Sequence, residues 1–175
     1  CGPVTYLAPP PAAGYDLDTL AELDSPHPAR PAPPPGAVER SADDHDLFWS
    51  LSFALRQRTW HDLGGFDEAY LGYGGEDTDF AQRARRAAVT VAWVGSARAY
   101  HQHHPVSSPP VEHLDDIVRN ATLFHERWGT WPMTGWLDAF ERDGLVARLE
   151  DGAYVAREPA ALAEPAVGGT LDPWL

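Results

Sequence analysis

The chain has 175 residues, of which 43% are hydrophobic and 22% charged, values that are ordinary for a globular protein with a buried core. Its formal net charge of −13 argues against a nucleic-acid partner, because a negative surface repels a polyphosphate backbone. The single cysteine, Cys1, excludes an internal disulfide, and no apolar run reaches the roughly 20 residues of a transmembrane segment. The composition therefore predicts a cytoplasmic protein, with peripheral attachment at the inner face of a membrane as an alternative.

The first 46 residues contain most of the prolines, which predict loops and polyproline-like connectors. Residues 2–7 are typical of a strand, and residues 17–23 predict a short helix with Asp16 as its cap. Leu51, Phe53 and Leu55 alternate with small residues, which predicts a strand with one apolar face.

The second half of the chain alternates between helical and strand patterns. Residues 56–63 predict a helix that ends at Gly64, and a second helix follows the glycine-rich turn 72–75. Residues 90–94 are a β-branched run and predict a strand. The longest helix should begin with Ser108 as cap and Pro109 at its first position, and end at Gly129. A short amphipathic segment follows at residues 137–140, and the pattern as a whole predicts an α/β fold.

Three carboxylates follow two glycines in the stretch Gly74-Gly75-Glu76-Asp77-Thr78-Asp79. Glycines allow a tight turn and the close approach of a ligand, and the positive end of the following helix favours ionised carboxylates. Such a carboxylate can accept a proton from a sugar hydroxyl as a general base. The alternative is that these acidic residues only cap the helix.

Three histidines follow the strand predicted at 90–94, namely His101, His103 and His104. Neutral imidazole is a suitable ligand for Mn²⁺ and related metals. On an extended chain His101 and His103 should share a face, and His104 should point away. The alternative is a set of surface histidines without function.

Residues 63–68 (Leu-Gly-Gly-Phe-Asp-Glu), residues 72–80 and the arginines that follow at Arg83 and Arg86 resemble glycosyltransferase family 2. The similarity is greatest to the C-terminal domain of the galactosyltransferase type, which has the GT-A fold, and it extends over roughly residues 2–129. This resemblance implies that residues 1–135 are the acceptor-side half of a nucleotide-diphospho-sugar transferase domain, with a mixed sheet and flanking helices. Residues 136–175 would be a C-terminal extension.

The same resemblance places the family's nucleotide-binding half, with its Asp-x-Asp motif, before Cys1. The early Asp16-Leu17-Asp18 does not qualify as that motif because no buried strand precedes it. We therefore expect residues 1–175 to be inactive on their own.

By resemblance, Asp77 is the catalytic base and Glu76 binds the acceptor or donor sugar. Tyr73 lines the sugar pocket, and Gly74, Gly75 and Thr78 complete the substrate-binding turn. Trp49 either borders the donor site or packs in the core. His101 is the expected ligand for Mn²⁺ or Mg²⁺, with His103 in reserve. The family usually has tryptophan and aspartate at the positions of Tyr73 and Thr78, so the identity of the acceptor stays open.

The implied reaction is an inverting transfer of a hexose from a nucleotide-sugar donor to a glycan or glycoconjugate hydroxyl, as in bacterial polysaccharide biosynthesis. A non-catalytic carbohydrate-binding module would keep Tyr73, Trp49 and the acids for recognition alone, and it would need neither metal nor nucleotide. A metal-dependent hydrolase built on His101 and His103 ranks last, because a spaced third ligand is missing.

Overall fold

The computed structural model describes residues 1–23 and 25–157, and the chain divides into two compact units. The first unit consists of Cys1–Asp67 and Asp77–Pro105. The second consists of Glu68–Glu76 and the chain from Val106 onward. One unit boundary therefore falls directly before Asp77, in the acidic motif.

The described part of the first unit has two pairs of strands and two helices. Strands β1 (Val4–Tyr6), β2 (Val38–Ser41), β3 (Val91–Val94) and β4 (Ala99–His101) accompany helices α1 (Gln57–Leu63) and α2 (Glu76–Arg86), and Glu76 of α2 is assigned to the second unit. β1 pairs in parallel with β4, so that Tyr6 lies beside His101, and β2 pairs antiparallel with β3. The predicted mixed sheet is thus replaced, among the described residues, by separate two-stranded pairs.

The core of the first unit is largely aromatic. Phe48, Phe80 and Ala81 are buried at its centre, and they are surrounded by partly buried side chains, among them Phe53, Leu55, Trp60, Leu63 and Phe66. Phe80 belongs to α2, and its neighbours come from α1, from the segment before α1 and from the loop that joins α1 to α2. The core therefore fixes the helix that begins with the acidic motif.

The described part of the second unit contains α3 (Leu114–Trp128), α4 (Thr134–Arg142) and an antiparallel pair, β5 (Val146–Arg148) with β6 (Tyr154–Ala156). Its core joins both helices to both strands through the buried residues Ile117, Val118, Ala121, Leu137, Phe140, Val146 and Tyr154. The domain boundary predicted at residue 135 falls inside α4. Leu137 and Phe140 of that helix share one core with α3, so the structure has no break there.

Several predicted elements are confirmed. α1 ends at Gly64 in the left-handed conformation, α2 follows the glycine-rich turn, and β3 covers the β-branched run. α3 ends at Gly129, again left-handed, and Ile117 and Phe124 on its apolar side are buried. These elements depend on local signals, namely glycine at a helix end and helical spacing of apolar residues.

Two predicted elements are wrong. Residues 51–55 form no strand: Phe53 and Leu55 pack on the aromatic core, whereas Leu51 is 38% exposed, so the alternation does not define one face. α3 begins at Leu114 and not at Pro109, because Pro110 disfavours the helical conformation of the residue before it. The short strands β2 and β4, and the pair β5 and β6, were not predicted. Within residues 1–23 and 25–157, none of the helices has the length and apolar character needed to cross a bilayer.

Candidate functional site

Asp77 lies in the first turn of α2 and is half-buried. Its Oδ1 accepts the backbone N–H of Thr78 at 2.6 Å and the Thr78 hydroxyl at 3.2 Å. The hydroxyl of Thr78, the residue that departs from the family pattern, thus donates to the predicted base, which the side chain of an ionised aspartate could not do. Glu76, the first residue of the helix, is also half-buried.

Asp79 differs from Asp77 in its surroundings. It is 1% exposed, and its Oδ2 forms an ion pair with Nε of Arg83 at 2.8 Å. Nη1 of Arg83 also donates to the carbonyl of Leu63 at the end of α1. Arg83 therefore joins α2 to α1, and the buried carboxylate of Asp79, which pairs with it, serves the fold.

The glycine-rich turn 72–75 belongs to the second unit, whereas Asp77, which follows it in the sequence, belongs to the first. Gly72, Gly74 and Gly75 have φ angles of 72°, 89° and 95°, a region that favours glycine. A Cβ on Gly72 would lie 2.0 Å from a carboxylate oxygen of Asp116, and one on Gly74 would lie 2.8 Å from Sδ of Met133. Side chains at these positions would be strained and would collide with α3 or its surroundings.

The ring of Tyr73 is 41% exposed and lies in an aromatic group of the second unit. It stacks on the His113 imidazole with ring centroids 4.3 Å apart and planes 10° apart. The Trp136 ring lies 5.8 Å from it, at 33°. His113 and Trp136 precede and follow the long helix in sequence, so sequence patterns alone did not connect them with Tyr73.

Trp49 contacts an arginine that sequence reasoning missed. The Arg30 guanidinium carbon lies 5.3 Å from the Trp49 ring centroid and 5.0 Å from that of Trp93, within the range of cation–π contacts. Arg30 is 6% exposed, and its Nε donates to the carbonyl of Leu47 at 3.2 Å. Trp49 thus contributes to the packing of a buried cation. No local signal marks Arg30, since it lies in the proline-rich segment.

Burial lowers the pKa of Arg30, and interactions with Tyr6 and Asp77 oppose that shift. Burial also lowers the pKa of His27, and the Arg30 cation lowers it further. The His27 ring contacts Trp49 edge-on at 4.9 Å.

His101 lies at the end of β4, and its ring stacks on Tyr6 at 4.8 Å. The His104 ring lies 5.1 Å from the His101 ring, and both His103 and His104 are exposed. The expectation that His104 points away from His101 is wrong, because β4 ends at His101 and the two-residue alternation ends with it.

Within the described ranges 1–23 and 25–157, no three His, Cys, Asp or Glu side chains form a group that could hold a metal ion. His101 and His104 supply two imidazoles at most, which is too few for the coordination shell of Mn²⁺ or Mg²⁺. The described side chains therefore do not complete a metal site by themselves.

Comparison with known proteins identifies a glycosyltransferase-like segment. Residues 43–105 match the family described as the N-terminal domain of galactosyltransferase. This segment contains Trp49, Tyr73, Asp77 and His101. The match supports the galactosyltransferase part of the resemblance, and the assignment to a C-terminal half stays a prediction.

Two curated relatives are similar over most of the chain. A validoxylamine A glucosyltransferase of Streptomyces hygroscopicus subsp. jinggangensis (strain 5008) is 32% identical over 133 residues, which is 72% of this chain and 31% of the relative. The protein of the same name from Streptomyces hygroscopicus subsp. limoneus is also 32% identical over 133 residues, 29% of its length. The chain thus spans less than a third of these relatives. No solved structure matches it.

Proposed function

We propose that this chain supplies the catalytic base and the acceptor-binding turn of an inverting glycosyltransferase that uses a nucleotide-sugar donor. The observation that carries the proposal is the position of Asp77, half-buried in the first turn of a helix that the galactosyltransferase match includes. The two glucosyltransferase relatives support sugar transfer as the reaction class.

In the proposed reaction Asp77 removes the proton from an acceptor hydroxyl. The hydroxyl oxygen attacks the anomeric carbon of the donor, and the bond from that carbon to the diphosphate breaks. The nucleoside diphosphate leaves with the electron pair of that bond, and the configuration at the anomeric carbon is inverted. A positioned base accelerates such a step by about 10²- to 10⁴-fold.

The side chain of Asp77 is suited to this role by its hydrogen bonds. Oδ1 is held by the Thr78 amide and hydroxyl, so one carboxylate edge is fixed. Charge-assisted hydrogen bonds favour the ionised form of a carboxylate, which is the form that a base requires. Asp79, by contrast, is committed to Arg83 and is not a candidate for the base.

Substrate contacts are proposed for the residues that precede the base. Tyr73, with Gly74 and Gly75, would contact the acceptor sugar, and Glu76 would accept hydrogen bonds from sugar hydroxyls. The exposed Tyr73 ring, supported from one side by His113, can stack on the apolar face of a pyranose. Trp49 borders the donor in the family, but here it would act mainly by packing on Arg30.

We also propose that His101 is a ligand for the Mn²⁺ or Mg²⁺ that nucleotide-sugar chemistry of this kind uses, with His103 in reserve. A bound divalent cation would stabilise negative charge on the leaving diphosphate. The other ligands would have to come from groups other than the described side chains.

The direct test is transfer by the full-length protein that contains this chain. We would incubate it with UDP- and GDP-linked glucose, galactose and mannose, with Mn²⁺, and with validoxylamine A and simple glycosides as acceptors. The expected result is that a glycoside forms only when the metal is present. Its anomeric configuration, measured by NMR, should be inverted relative to that of the donor. Retention of configuration would contradict the mechanism. Sugar binding without any use of nucleotide-sugars would instead favour a carbohydrate-binding module.

A further inference from the structure

Asn120 is the most buried polar residue of α3, with 1% of its surface exposed. Its side-chain nitrogen donates to three backbone carbonyls of the glycine-rich turn and its approach. The acceptors are Leu71 at 3.0 Å, Tyr73 at 3.1 Å and Gly74 at 2.7 Å. All four residues belong to the second unit.

This hydrogen-bonding pattern fixes the orientation of the amide. If the amide were turned around, its oxygen would face three carbonyl oxygens, and each contact would be repulsive. In the observed orientation Oδ1 has no hydrogen-bond partner within the part of the chain that the structure describes. The donor side of the amide is therefore used fully, and the acceptor side is left unused.

The turn benefits from such a support because it is rich in glycine. Glycine has the largest conformational freedom in the unfolded chain, which makes this loop costly to order. Arg119, the neighbour of Asn120, also donates to the carbonyl of Leu71 and pairs with Asp116 at 2.9 Å. Two successive residues of α3 thus hold one backbone segment.

We infer that Asn120 is a positioning residue, whose amide holds turn 72–75 in the conformation that presents Tyr73 and leads into Asp77. This inference rests on the proposed function for its kinetic consequence, but its structural part does not. Asn120 does not contact the sugar in this scheme. It acts through the backbone of Tyr73 and Gly74, and its loss should therefore weaken acceptor binding more than donor binding.

The test uses Asn120→Leu in the full-length protein, a change that keeps the approximate size and removes the donors. The expected result is an acceptor KM about tenfold higher, the scale of one lost aromatic contact, with the donor KM unchanged. Hydrogen exchange of the peptide that covers residues 70–76 should become faster. A merely structural role would lower kcat through a smaller active fraction and would leave the acceptor KM unchanged.

Thr122→Val is the matched control, because Thr122 lies on the same helix and its hydroxyl donates to Val118 at 2.9 Å, away from the turn. It should leave the acceptor KM and the exchange of residues 70–76 at wild-type values. If Asn120→Leu does not fold, Arg119→Met tests the same support from an exposed position, with a two- to fivefold rise in acceptor KM expected.

The inference is overturned if the folded Asn120→Leu variant, or Arg119→Met in its place, shows wild-type exchange in residues 70–76 and a wild-type acceptor KM. If the wild-type protein transfers no sugar, the proposed function fails. In that case faster exchange at residues 70–76 still supports Asn120 as the support of the turn, and unchanged exchange rejects it.

Discussion

The two units of the chain differ in how they hold the predicted site residues. In the first, side chains are held one by one: Trp49 packs on Arg30, His101 stacks on Tyr6, and Asp77 accepts hydrogen bonds from Thr78. In the second, a flexible backbone turn is held by hydrogen bonds from Asn120. The first unit therefore fixes individual side chains, whereas the second fixes a backbone turn that presents an aromatic ring.

This difference implies two kinds of sensitivity to mutation. Changes in the first unit should alter the chemical step or the stability of the fold. Changes in the second should alter the recognition of the acceptor. If substitutions in the two units had the same effects on the chemical step, on stability and on acceptor recognition, this expectation would be contradicted.

The largest expected effect is that of Asp77→Asn. The change keeps the size of the side chain but removes the base, so transfer should fall by about 10²- to 10⁴-fold while donor affinity is retained. Single-turnover transfer and equilibrium donor binding would measure the two quantities. Asp115→Asn is the control, since Asp115 is an exposed carboxylate in the first turn of α3. Equal losses in both variants, or wild-type turnover in Asp77→Asn, would remove Asp77 from the mechanism.

Asp79→Asn should act on stability and not on the chemical step. It breaks the pair with Arg83, whose side chain is 25% exposed, and leaves that cation partly buried. We expect a loss of roughly 2–3 kcal/mol in the free energy of unfolding, at the low end for a broken buried pair. Urea unfolding would measure it. Asp62→Asn, in the exposed pair with Arg58, should cost less than about 0.5 kcal/mol. Equal costs would mean that burial of Asp79 does not matter.

Tyr73→Ala should raise the acceptor KM about tenfold with little change in kcat, since it removes one aromatic contact of about 1–1.5 kcal/mol. Tyr73→Trp restores a large ring at this position and should keep the KM near the wild-type value. Initial-rate measurements over a range of acceptor concentrations would show the difference. A fall in kcat alone would place Tyr73 in the chemical step.

The parts of the fold that were predicted are those with local signals. α1 and α3 end where Gly64 and Gly129 adopt the left-handed conformation, and α2 begins where the glycine-rich turn ends. The strands were harder, because β1 pairs with β4 through partners such as Val4 and Ala99, far apart in the sequence. Three-residue strands have too few residues to show alternation.

The residues of the candidate site also differ in whether a local sequence signal reveals them. Asp77 and Tyr73 were found because they lie in one contiguous motif. Asn120 was not, because it acts on Gly74 from 46 residues away. Arg30 lies in a proline-rich segment, and only the folded chain brings it between Trp49 and Trp93. Residues that support a site from distant positions in the sequence form no motif with a recognisable spacing, so the sequence alone does not reveal them.

His101→Ala should raise the Mn²⁺ concentration needed for half-maximal activity severalfold, because one imidazole ligand is lost. His103→Ala should have a smaller effect, because His101 and not His103 lies at the end of β4. The ring contact between His101 and His104 adds a third variant, His104→Ala, which should fall between the two. Metal titrations of all three variants would rank them. A larger effect of His103→Ala would mean that His103 is the ligand.

The smallest expected effect concerns the pH dependence of stability through His27. Burial and the Arg30 cation lower the pKa of His27 in the folded chain, so the folded state favours the neutral ring. Its Nδ1 also accepts the N–H of Ala29 at 3.1 Å, a bond that protonation at Nδ1 would abolish. The stability contributed by neutral His27 is fully present above its unfolded pKa of about 6.5 and is lost as the pH falls through the lower folded pKa.

We therefore expect the melting temperature of the wild-type protein to fall as the pH decreases from about 7 to 5. In His27→Asn this fall should be smaller, because the asparagine carbonyl can still accept the N–H two residues on and does not titrate. Since the imidazole is half-exposed, the difference should be small. His103→Asn, at an exposed histidine, is the control and should follow the wild-type curve. Parallel curves for His27→Asn and the wild type would show that burial and the Arg30 cation do not lower the pKa of His27 enough to affect stability.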